Sequence, residues 1–329
     1  MTKTARSRLY SSVLIGNDVI YMRQPRVFIP AADFYEMEKV APMKKEKIYS
    51  IWFLLPAFAI FAVFFLIPVL SSFFYSLTIW DFKTFTFCGL DNYVMFFSEP
   101  SLNTSLIHTL VYAFMTSGLK VLFAFFIALF LTSKIRTKSF IRSAVFFPNL
   151  VSAIAVGITF STLMHPTKGI INIIIKALGG STFNFLGDPN IALFSVIAVD
   201  VWKGVSIATV IYIAGIQSID STYYEAAQID GASFWQRVWN VTLPMCAPAM
   251  DSVIILSLIG GLRCFDLIWA MTGGGPGFAT DVIASVVYKQ YAAGFYGLST
   301  AGNVIMLVLI SIIAFPLQHF LNKREEALS

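Results

Sequence analysis

Residues 220–244 read DSTYYEAAQIDGASFWQRVWNVTLP, and this polar stretch lies between two long, mainly apolar runs. Ser221 or Thr222 is predicted to be the N-cap of a short helix, because a side-chain hydroxyl can accept a hydrogen bond from a free backbone N–H. Glu225 then falls in the first turn, where a carboxylate interacts favourably with the helix dipole. The first half of the stretch therefore predicts a short helix with a polar beginning.

The second half of the stretch predicts a chain reversal and a return to the next apolar run. Gly231 allows the left-handed backbone conformation that a sharp reversal needs, and Pro244 suits the first turn of a following helix. Ala226 and Ala227 leave a face of small side chains, which lets another protein approach closely. The stretch thus predicts an exposed helix that docks against a partner.

The spacing of these residues resembles the E-A-A loop in permeases of bacterial binding-protein-dependent ABC importers. The order is Glu-Ala-Ala, three residues, glycine, nine residues, Val241, one residue and Leu-Pro, with Val241 in place of the usual isoleucine. The fuller run is similar to the branch that imports sugars and oligosaccharides. In that family the loop, here 218–245, holds the coupling helix that docks on a separate ATPase subunit. The resemblance implies this role for Tyr224, Glu225, Ala226, Ala227, Asp230, Gly231, Ala232, Leu243 and Pro244.

The composition indicates a polytopic membrane protein. The chain is 57% hydrophobic and 12% charged, about half the charged fraction of a soluble domain. Its mean hydropathy is +0.75. About 20 apolar residues cross a bilayer, and six stretches are long enough. They lie at roughly 48–79, 106–131, 143–164, 191–217, 246–271 and 300–321.

The predicted fold is all-α, with six transmembrane helices. The resemblance covers about 48–321 and implies the type I importer permease fold. Four segments are expected. They are a basic, partly helical cytoplasmic extension (1–47), the first span with an external segment (48–100), the permease core (101–321) and a cytoplasmic tail (322–329).

The distribution of positive charge predicts the orientation. Sixteen lysines and arginines lie on the side of the termini and of the Glu225 loop, against four on the other side. Because cytoplasmic segments carry an excess of these residues, both termini and the loop are expected in the cytoplasm. The predicted location is a bacterial cell membrane, crossed several times. The four residues on the external side are Lys83, Lys168, Lys176 and Lys289.

The sequence holds no ATP-binding motif of its own. No G-K-[ST] occurs anywhere, and the glycine-rich run 273–277 lacks the lysine of a phosphate-binding loop. Three isolated histidines and three widely spaced cysteines suggest neither a metal site nor a disulfide framework. The chain is therefore expected to be a transport subunit and not an enzyme, with no cofactor of its own.

The resemblance implies several partners. They are two ATPase subunits that bind ATP and Mg²⁺, an extracytoplasmic solute-binding protein, and a second permease subunit that is a different chain in many sugar systems. Membrane lipid and a sugar complete the set, and no nucleic acid is expected.

Charged residues inside the spans are candidates for the solute pathway. Asp200 with Lys203, and Arg263 with Asp266, are pairs of opposite charge three residues apart, and such residues normally face protein or a hydrated cavity. Each pair has an alternative interpretation as a brace that only neutralises itself. Lys120 is compatible with a pathway role, with a partner subunit, or with its ammonium reaching the cytoplasmic interface. Two tryptophans that could stack on sugar rings complete the candidate pathway, Trp202 and Trp269.

Other functions stay open at this point. An ion-coupled secondary transporter is compatible with the charged spans but leaves the Glu-Ala-Ala loop unexplained. A membrane-embedded transferase is disfavoured, because the pairs of aspartates at helical spacing that such enzymes use are absent. Among solutes, glycerol phosphate or an acidic oligosaccharide would suit Lys203 and Arg263, although the sugar branch also handles neutral substrates.

Overall fold

The computed structural model describes residues 10–15, 18–23, 51–81, 83–133 and 136–328. The chain divides into two compact units, Met1–Ile60 and Phe61–Ser329. In the first unit, strands β1 (Tyr10–Ile15) and β2 (Asp18–Arg23) pair as an antiparallel hairpin. The described part of the extension is therefore a hairpin, and the predicted helix in the remainder lies outside the described residues.

The remainder of the described chain is mainly helical. Backbone polar groups have no water to bind inside a bilayer, and a helix satisfies them within one segment. In chain order, the helices are α1 (Trp52–Tyr75), α2 (Asp91–Ser98), α3 (Pro100–Thr132), α4 (Lys138–Leu150), α5 (Ala153–Leu163), α6 (Ile170–Ala177), α7 (Ala192–Gln217), α8 (Ser221–Ile229), α9 (Phe234–Met245), α10 (Ala247–Leu262), α11 (Asp266–Thr272), α12 (Ile283–Ala292) and α13 (Tyr296–Leu328).

Four of these helices, α1, α3, α7 and α13, are long and apolar enough to cross a membrane. Two bent pairs raise the number to six if each pair is one span: α4 with α5, bent by 98°, and α9 with α10, bent by 70°. The predicted third span, 143–164, is therefore a broken one. Ser152 starts the new helix, because its Oγ accepts a hydrogen bond from Ala155 N–H at 3.3 Å.

The core of the second unit lies where α3 packs along α7 and α10. One apolar cluster contains Tyr112, Val196 and Ile268, all fully buried. A second cluster contains Phe125 and Tyr212, whose ring centroids are 5.5 Å apart. These contacts hold the fourth span against the second, and so they fix the starting point of the loop that follows α7.

A short β-hairpin and a short helix connect α1 to α3. Strands β3 (Thr78–Trp80) and β4 (Phe85–Phe87) pair antiparallel, and α2 follows them. Asn92 on α2 donates to the backbone carbonyls of Ser76 at 2.8 Å and Thr78 at 2.9 Å. One buried amide thus joins the end of α1, the hairpin and α2.

Candidate functional site

Helix α8 carries the Glu-Ala-Ala residues, and Asp220 is its N-cap. The Asp220 carboxylate accepts hydrogen bonds from the backbone N–H of Thr222 at 2.9 Å and from its hydroxyl at 2.7 Å. The predicted cap at Ser221 or Thr222 is therefore wrong, because the preceding carboxylate takes the free backbone donor. Glu225 consequently lies beyond the first turn. The Thr222 hydrogen bonds hold the pKa of Asp220 below its ordinary value of 3.8.

The end of α8 has the reversal that the sequence predicts. Gly231 has a φ of 76° and its N–H donates to the carbonyl of Gln228 at 3.1 Å. The N–H of Ala232 donates to the carbonyl of Ala227 at 2.9 Å. These two bonds form a Schellman motif, which ends a helix with a residue in the left-handed region. The geometry confirms the reversal at Gly231.

Helix α9 returns the chain toward the next span and is joined to α8. Ser233 and Gln236 form a capping box, with Ser233 N–H donating to Gln236 Oε1 at 2.7 Å. The hydroxyls of Tyr224 and Thr242 lie 3.1 Å apart, and Thr242 is buried. Pro244 lies near the end of α9, and the helix of the next apolar run, α10, begins only at Ala247, so Pro244 does not start that helix as predicted. The loop is therefore held as one shaped unit by local hydrogen bonds.

The outer surface of this loop is unusually apolar for a segment with so many charges. Glu225 and Ala226 are exposed, and Ala227 is half-buried. Ile229 is 86% exposed and Tyr223 54%. Several exposed apolar side chains beside a carboxylate suit a protein partner better than water. Three further aromatic side chains are exposed on α9, namely Phe234, Trp235 and Trp239.

A buried ion pair lies between the second and fourth spans. Lys120 Nζ is 2.7 Å from Asp200 Oδ2, with side chains 9% and 18% exposed. The predicted pairing of Asp200 with Lys203 is therefore wrong. A buried ammonium without a counter-charge is costly, so Lys120 takes the carboxylate from the neighbouring helix. Lys203 is half-buried and, within the described ranges, forms no ion pair.

Close packing surrounds this pair. A side chain at position 204 would collide with the end of Lys120 and displace it, so Gly204 leaves room for the lysine to take its present path to Asp200. The Cys264 thiol donates to the Tyr112 hydroxyl at 3.1 Å, and Asp200 interacts with the same hydroxyl. The cluster thus joins residues of α3 and α7 to the break that follows α10.

Arg263 and Asp266 do not lie on one continuous helix. Helix α10 ends at Leu262 and α11 begins at Asp266, so the predicted spacing along a fifth span at 246–271 is interrupted. Both side chains are exposed, and in the described part of the chain neither forms an ion pair. Arg263 lines a groove of about 440 Å³, together with residues of α1 and α13 such as Phe73 and Asn303.

The two candidate tryptophans lie in different surroundings. Trp202 is 44% exposed, and its ring centroid is 5.1 Å from that of Phe160. Trp269 is 37% exposed and stacks on Phe265 at 5.7 Å. Tyr288 meets the Trp269 ring edge-on at 4.7 Å. Both tryptophans leave part of a ring free for contact with another molecule.

Two ion pairs were missed by sequence reasoning. Lys289 Nζ lies 2.7 Å from Asp281, whose side chain is 1% exposed. Arg324 Nη1 lies 3.7 Å from Asp251, whose side chain is 8% exposed. The members are eight and 73 residues apart, so helical spacing gives no signal for either pair. The signal that could have been used for the second pair is the position of Asp251 in an apolar run, where a carboxylate normally has a partner.

Comparisons with known proteins agree on one family. The family described as "Binding-protein-dependent transport system inner membrane component" matches residues 120–326. The trehalose/maltose transport system permease protein MalF of Thermococcus litoralis is 34% identical over 78% of this chain and 88% of its own length. The multiple sugar-binding transport system permease protein MsmF of Streptococcus mutans is 34% identical, over 83% of this chain and 95% of its own.

A solved structure shares the fold. A chain from a bacterial ABC transporter involved in the import of the acidic polysaccharide alginate aligns with a TM-score of 0.71. The match covers 82% of this chain and 94% of that chain, at 24% sequence identity. The two chains therefore have the same arrangement of helices.

Proposed function

The chain belongs to the family of binding-protein-dependent transport system inner membrane components, and from this premise we propose that it forms the solute pathway of an ATP-driven importer of sugars or oligosaccharides. It is a multi-pass membrane protein and an ABC importer permease, with the type I fold. The proposal adds the solute class, the coupling to ATP hydrolysis, and the orientation with both termini in the cytoplasm.

The observation that carries the proposal is the surface of the loop 218–245. Helix α8 is capped at Asp220, ended at Gly231 and tied to α9 through Tyr224, so its exposed side chains have a fixed arrangement. The loop is covalently continuous with α7, which carries Asp200. A force applied to α8 by a separate ATPase subunit would therefore reach the residues proposed to line the pathway.

Because this chain is proposed to form the pathway and a separate subunit to hydrolyse ATP, further partners are required. Two ATPase subunits supply the sites for ATP and Mg²⁺, and a second permease subunit completes the membrane channel. An extracytoplasmic binding protein delivers the solute. Lys203 and Arg263 form no ion pair within the described residues, which favours an acidic saccharide or glycerol phosphate as a second candidate solute class.

Copurification tests the proposal. A tagged chain extracted in mild detergent is expected to bring an ATP-binding subunit and a second permease subunit with it. Copurification of a homo-oligomer that transports with an ion gradient and without ATP would overturn the proposal in favour of a secondary transporter. Thermal-shift screening of the cognate binding protein against neutral and acidic saccharides then identifies the solute class.

Cysteine labelling tests the orientation. In a background that lacks Cys88, Cys246 and Cys264, a membrane-impermeant maleimide is expected to reach a cysteine at Ser181 and to miss one at Ser233. Both positions are exposed in the structure, so a difference in labelling reports on the side of the membrane. Strong external labelling at Ser233 would contradict the cytoplasmic placement of the loop.

A further inference from the structure

Helix α11, the glycine-rich turn and helix α12 form a closely tied unit, which we call the outer hairpin (residues 265–292). The proposed orientation places its turn on the external side. The unit contains Asp266 and Trp269, two of the candidate pathway residues, on α11. It also contains a buried ion pair for which the proposed coupling mechanism gives no role.

In the ion pair between Asp281 and Lys289, both carboxylate oxygens of Asp281 accept hydrogen bonds. Lys289 Nζ lies 2.7 Å from Asp281 Oδ2 and 2.9 Å from Oδ1, and Ser285 Oγ donates to Oδ1 at 2.8 Å. The Asp281 side chain is 1% exposed, whereas that of Lys289 is 34% exposed. Breaking such a pair leaves a buried carboxylate without its counter-charge. The pair therefore fixes the start of α12 against its last turn.

The glycine-rich turn (residues 273–277) packs directly against this ion pair. A side chain at Gly274 would collide with Asp281 Oδ1 and would come within 2.6 Å of Lys289 Nζ. The Thr272 and Thr280 hydroxyls lie 2.7 Å apart, and Thr280 donates to the carbonyl of Gly275 at 2.8 Å. The end of α11 is thus joined to the ion pair through the turn.

Two further sets of contacts extend this connection. On one side, Thr109 of α3 accepts a hydrogen bond from Ile283 N–H at 2.9 Å, and His108 Nδ1 donates to the Asp281 carbonyl at 3.1 Å. On the other side, the ring of Tyr288, next to Lys289 in the chain, contacts Trp269 at a centroid distance of 4.7 Å. The outer hairpin is therefore hydrogen-bonded to α3, and its residue Tyr288 packs against the ring of Trp269.

We propose that Asp281 and Lys289 are positioning residues for solute passage, which set the placement of Asp266 and Trp269 through the turn at Gly274. This inference rests on the proposed function, since it assigns a role within the transport pathway. The ion pair does not contact the solute in this account. Its loss lets the short helix α11 change its angle, because α11 has only seven residues and is bounded by a break at one end and the turn at the other.

Maleimide labelling measures the placement without needing the solute. In the background without native cysteines, Asp266→Cys is labelled with N-ethylmaleimide in the assembled complex, with and without Lys289→Met. We expect the labelling rate to change about two- to thirtyfold, the range that corresponds to the coupling energies of mutations between two linked sites. Lys176→Met, at an exposed external lysine, is the matched control and is expected to leave the rate unchanged. Equal rates in the Lys289→Met and control complexes would overturn the proposal.

Transport measurements distinguish positioning from a purely structural role. The complexes are reconstituted and assayed for ATP-driven uptake of maltose, trehalose and an alginate pentasaccharide. Lys289→Met and Asp281→Asn are expected to lower the melting temperature but still to assemble, because the Lys289 side chain is 34% exposed and Ser285 Oγ still donates to the side chain at 281. Both are expected to raise the half-saturating concentration or change the preference among these sugars, while Lys289→Arg recovers wild-type behaviour. Failure of both variants to assemble, or unchanged preference and half-saturation, would overturn the proposal. Absence of ATP-driven uptake by the wild-type complex would instead contradict the proposed function, and the labelling rates would still decide the positioning.

Discussion

The loop at 218–245 and the Lys120–Asp200 pair are both polar features of an apolar chain, yet they are built in opposite ways. The loop is exposed and is shaped by hydrogen bonds between residues no more than 18 positions apart, such as Tyr224 and Thr242. The ion pair is buried and joins residues 80 positions apart on two spans. The loop thus depends on local geometry, whereas the pair depends on how whole helices pack.

This difference predicts different responses to mutation. A substitution in the loop changes the exposed surface of α8 or α9 and leaves the packing of the long helices intact. It is therefore expected to impair the coupling to ATP hydrolysis and not the stability of the fold. Damage to the pair leaves a charge inside the protein and is expected to affect stability first.

The largest effect is expected from breaking the buried pair on one side only. Asp200→Leu leaves the Lys120 ammonium buried without a counter-charge, and loss of one partner of such a pair costs about 3–5 kcal/mol. We expect a strongly lowered melting temperature or loss of the assembled complex, measured by fluorescence-detected size exclusion after heating. Asp251→Leu, which removes the partner that lies 3.7 Å from Arg324, serves as a comparison with a more weakly coupled pair.

The double variant Lys120→Met/Asp200→Leu sharpens the same comparison. Removing both charges removes the penalty of an unpaired ion, so the double variant is expected to regain most of the stability that Asp200→Leu loses. If it also transports normally, the pair is a brace between α3 and α7. If it assembles but does not transport, the charges themselves belong to the pathway. A double variant no more stable than Asp200→Leu would contradict the pairing.

The next largest effect is expected from variants of the loop. These variants are expected to impair the coupling of ATP hydrolysis to solute uptake and to leave stability unchanged. Gly231→Pro fixes φ near −65° where the structure has 76°, and it removes the N–H that donates to Gln228. Glu225→Lys reverses an exposed charge on α8. Both variants are expected to insert and assemble, to lose solute uptake, and to lose solute-stimulated ATP hydrolysis. Near-normal uptake by both would contradict the coupling role of the loop.

The same contrast explains how much the sequence could predict. The apolar runs predicted the long helices, and the reversal at Gly231 was predicted correctly because turn chemistry is local. The cap itself was misplaced by one residue, because the Asp220 carboxylate accepts from Thr222 N–H and starts the helix before Ser221. The fold and the family were accessible because the Glu-Ala-Ala residues lie close together in the chain.

The charges inside the spans were harder to predict for a physical reason. Helical spacing suggested Lys203 as the partner of Asp200, but a partner on a neighbouring helix depends on rotation and register that one sequence does not encode locally. Lys120 became a partner only because α3 packs along α7 and Gly204 leaves it room. The break between Leu262 and Asp266 was missed although Gly260 and Gly261 precede it, because both glycines lie inside α10 and do not mark its end.

A smaller effect is expected at the contact between α8 and α9. Tyr224→Phe removes the hydroxyl that lies 3.1 Å from Thr242 Oγ1, and one such bond contributes about 0.5–1.5 kcal/mol. We expect a small fall in melting temperature and partial uncoupling, measured as the ratio of sugar transported to ATP hydrolysed. Tyr223→Phe, at an exposed neighbouring ring, is the control, and an equal effect of the two substitutions would argue against the contact.

The smallest effect is expected from the pH dependence of the helix cap. Because Thr222 lowers the pKa of Asp220 in the folded state, the cap is fully present above the ordinary value of 3.8 and is lost as pH falls through the lowered value. Asp220→Ala is expected to make proteolysis near α8 faster at neutral pH and independent of pH in the acidic range. Asp220→Asn keeps an acceptor without the charge and should fall between the two. Identical proteolysis rates for wild type and Asp220→Ala at neutral pH would contradict the cap.

Photo-crosslinking tests the docking of α8 most directly. A photoreactive amino acid at Gln228, exposed on α8, is compared with the same group at Ser181, exposed on the opposite side of the proposed membrane. In intact membranes we predict that Gln228 crosslinks to an ATP-binding subunit and that Ser181 does not. A crosslink from Ser181 to that subunit, or none from Gln228 in a complex that transports, would contradict the account.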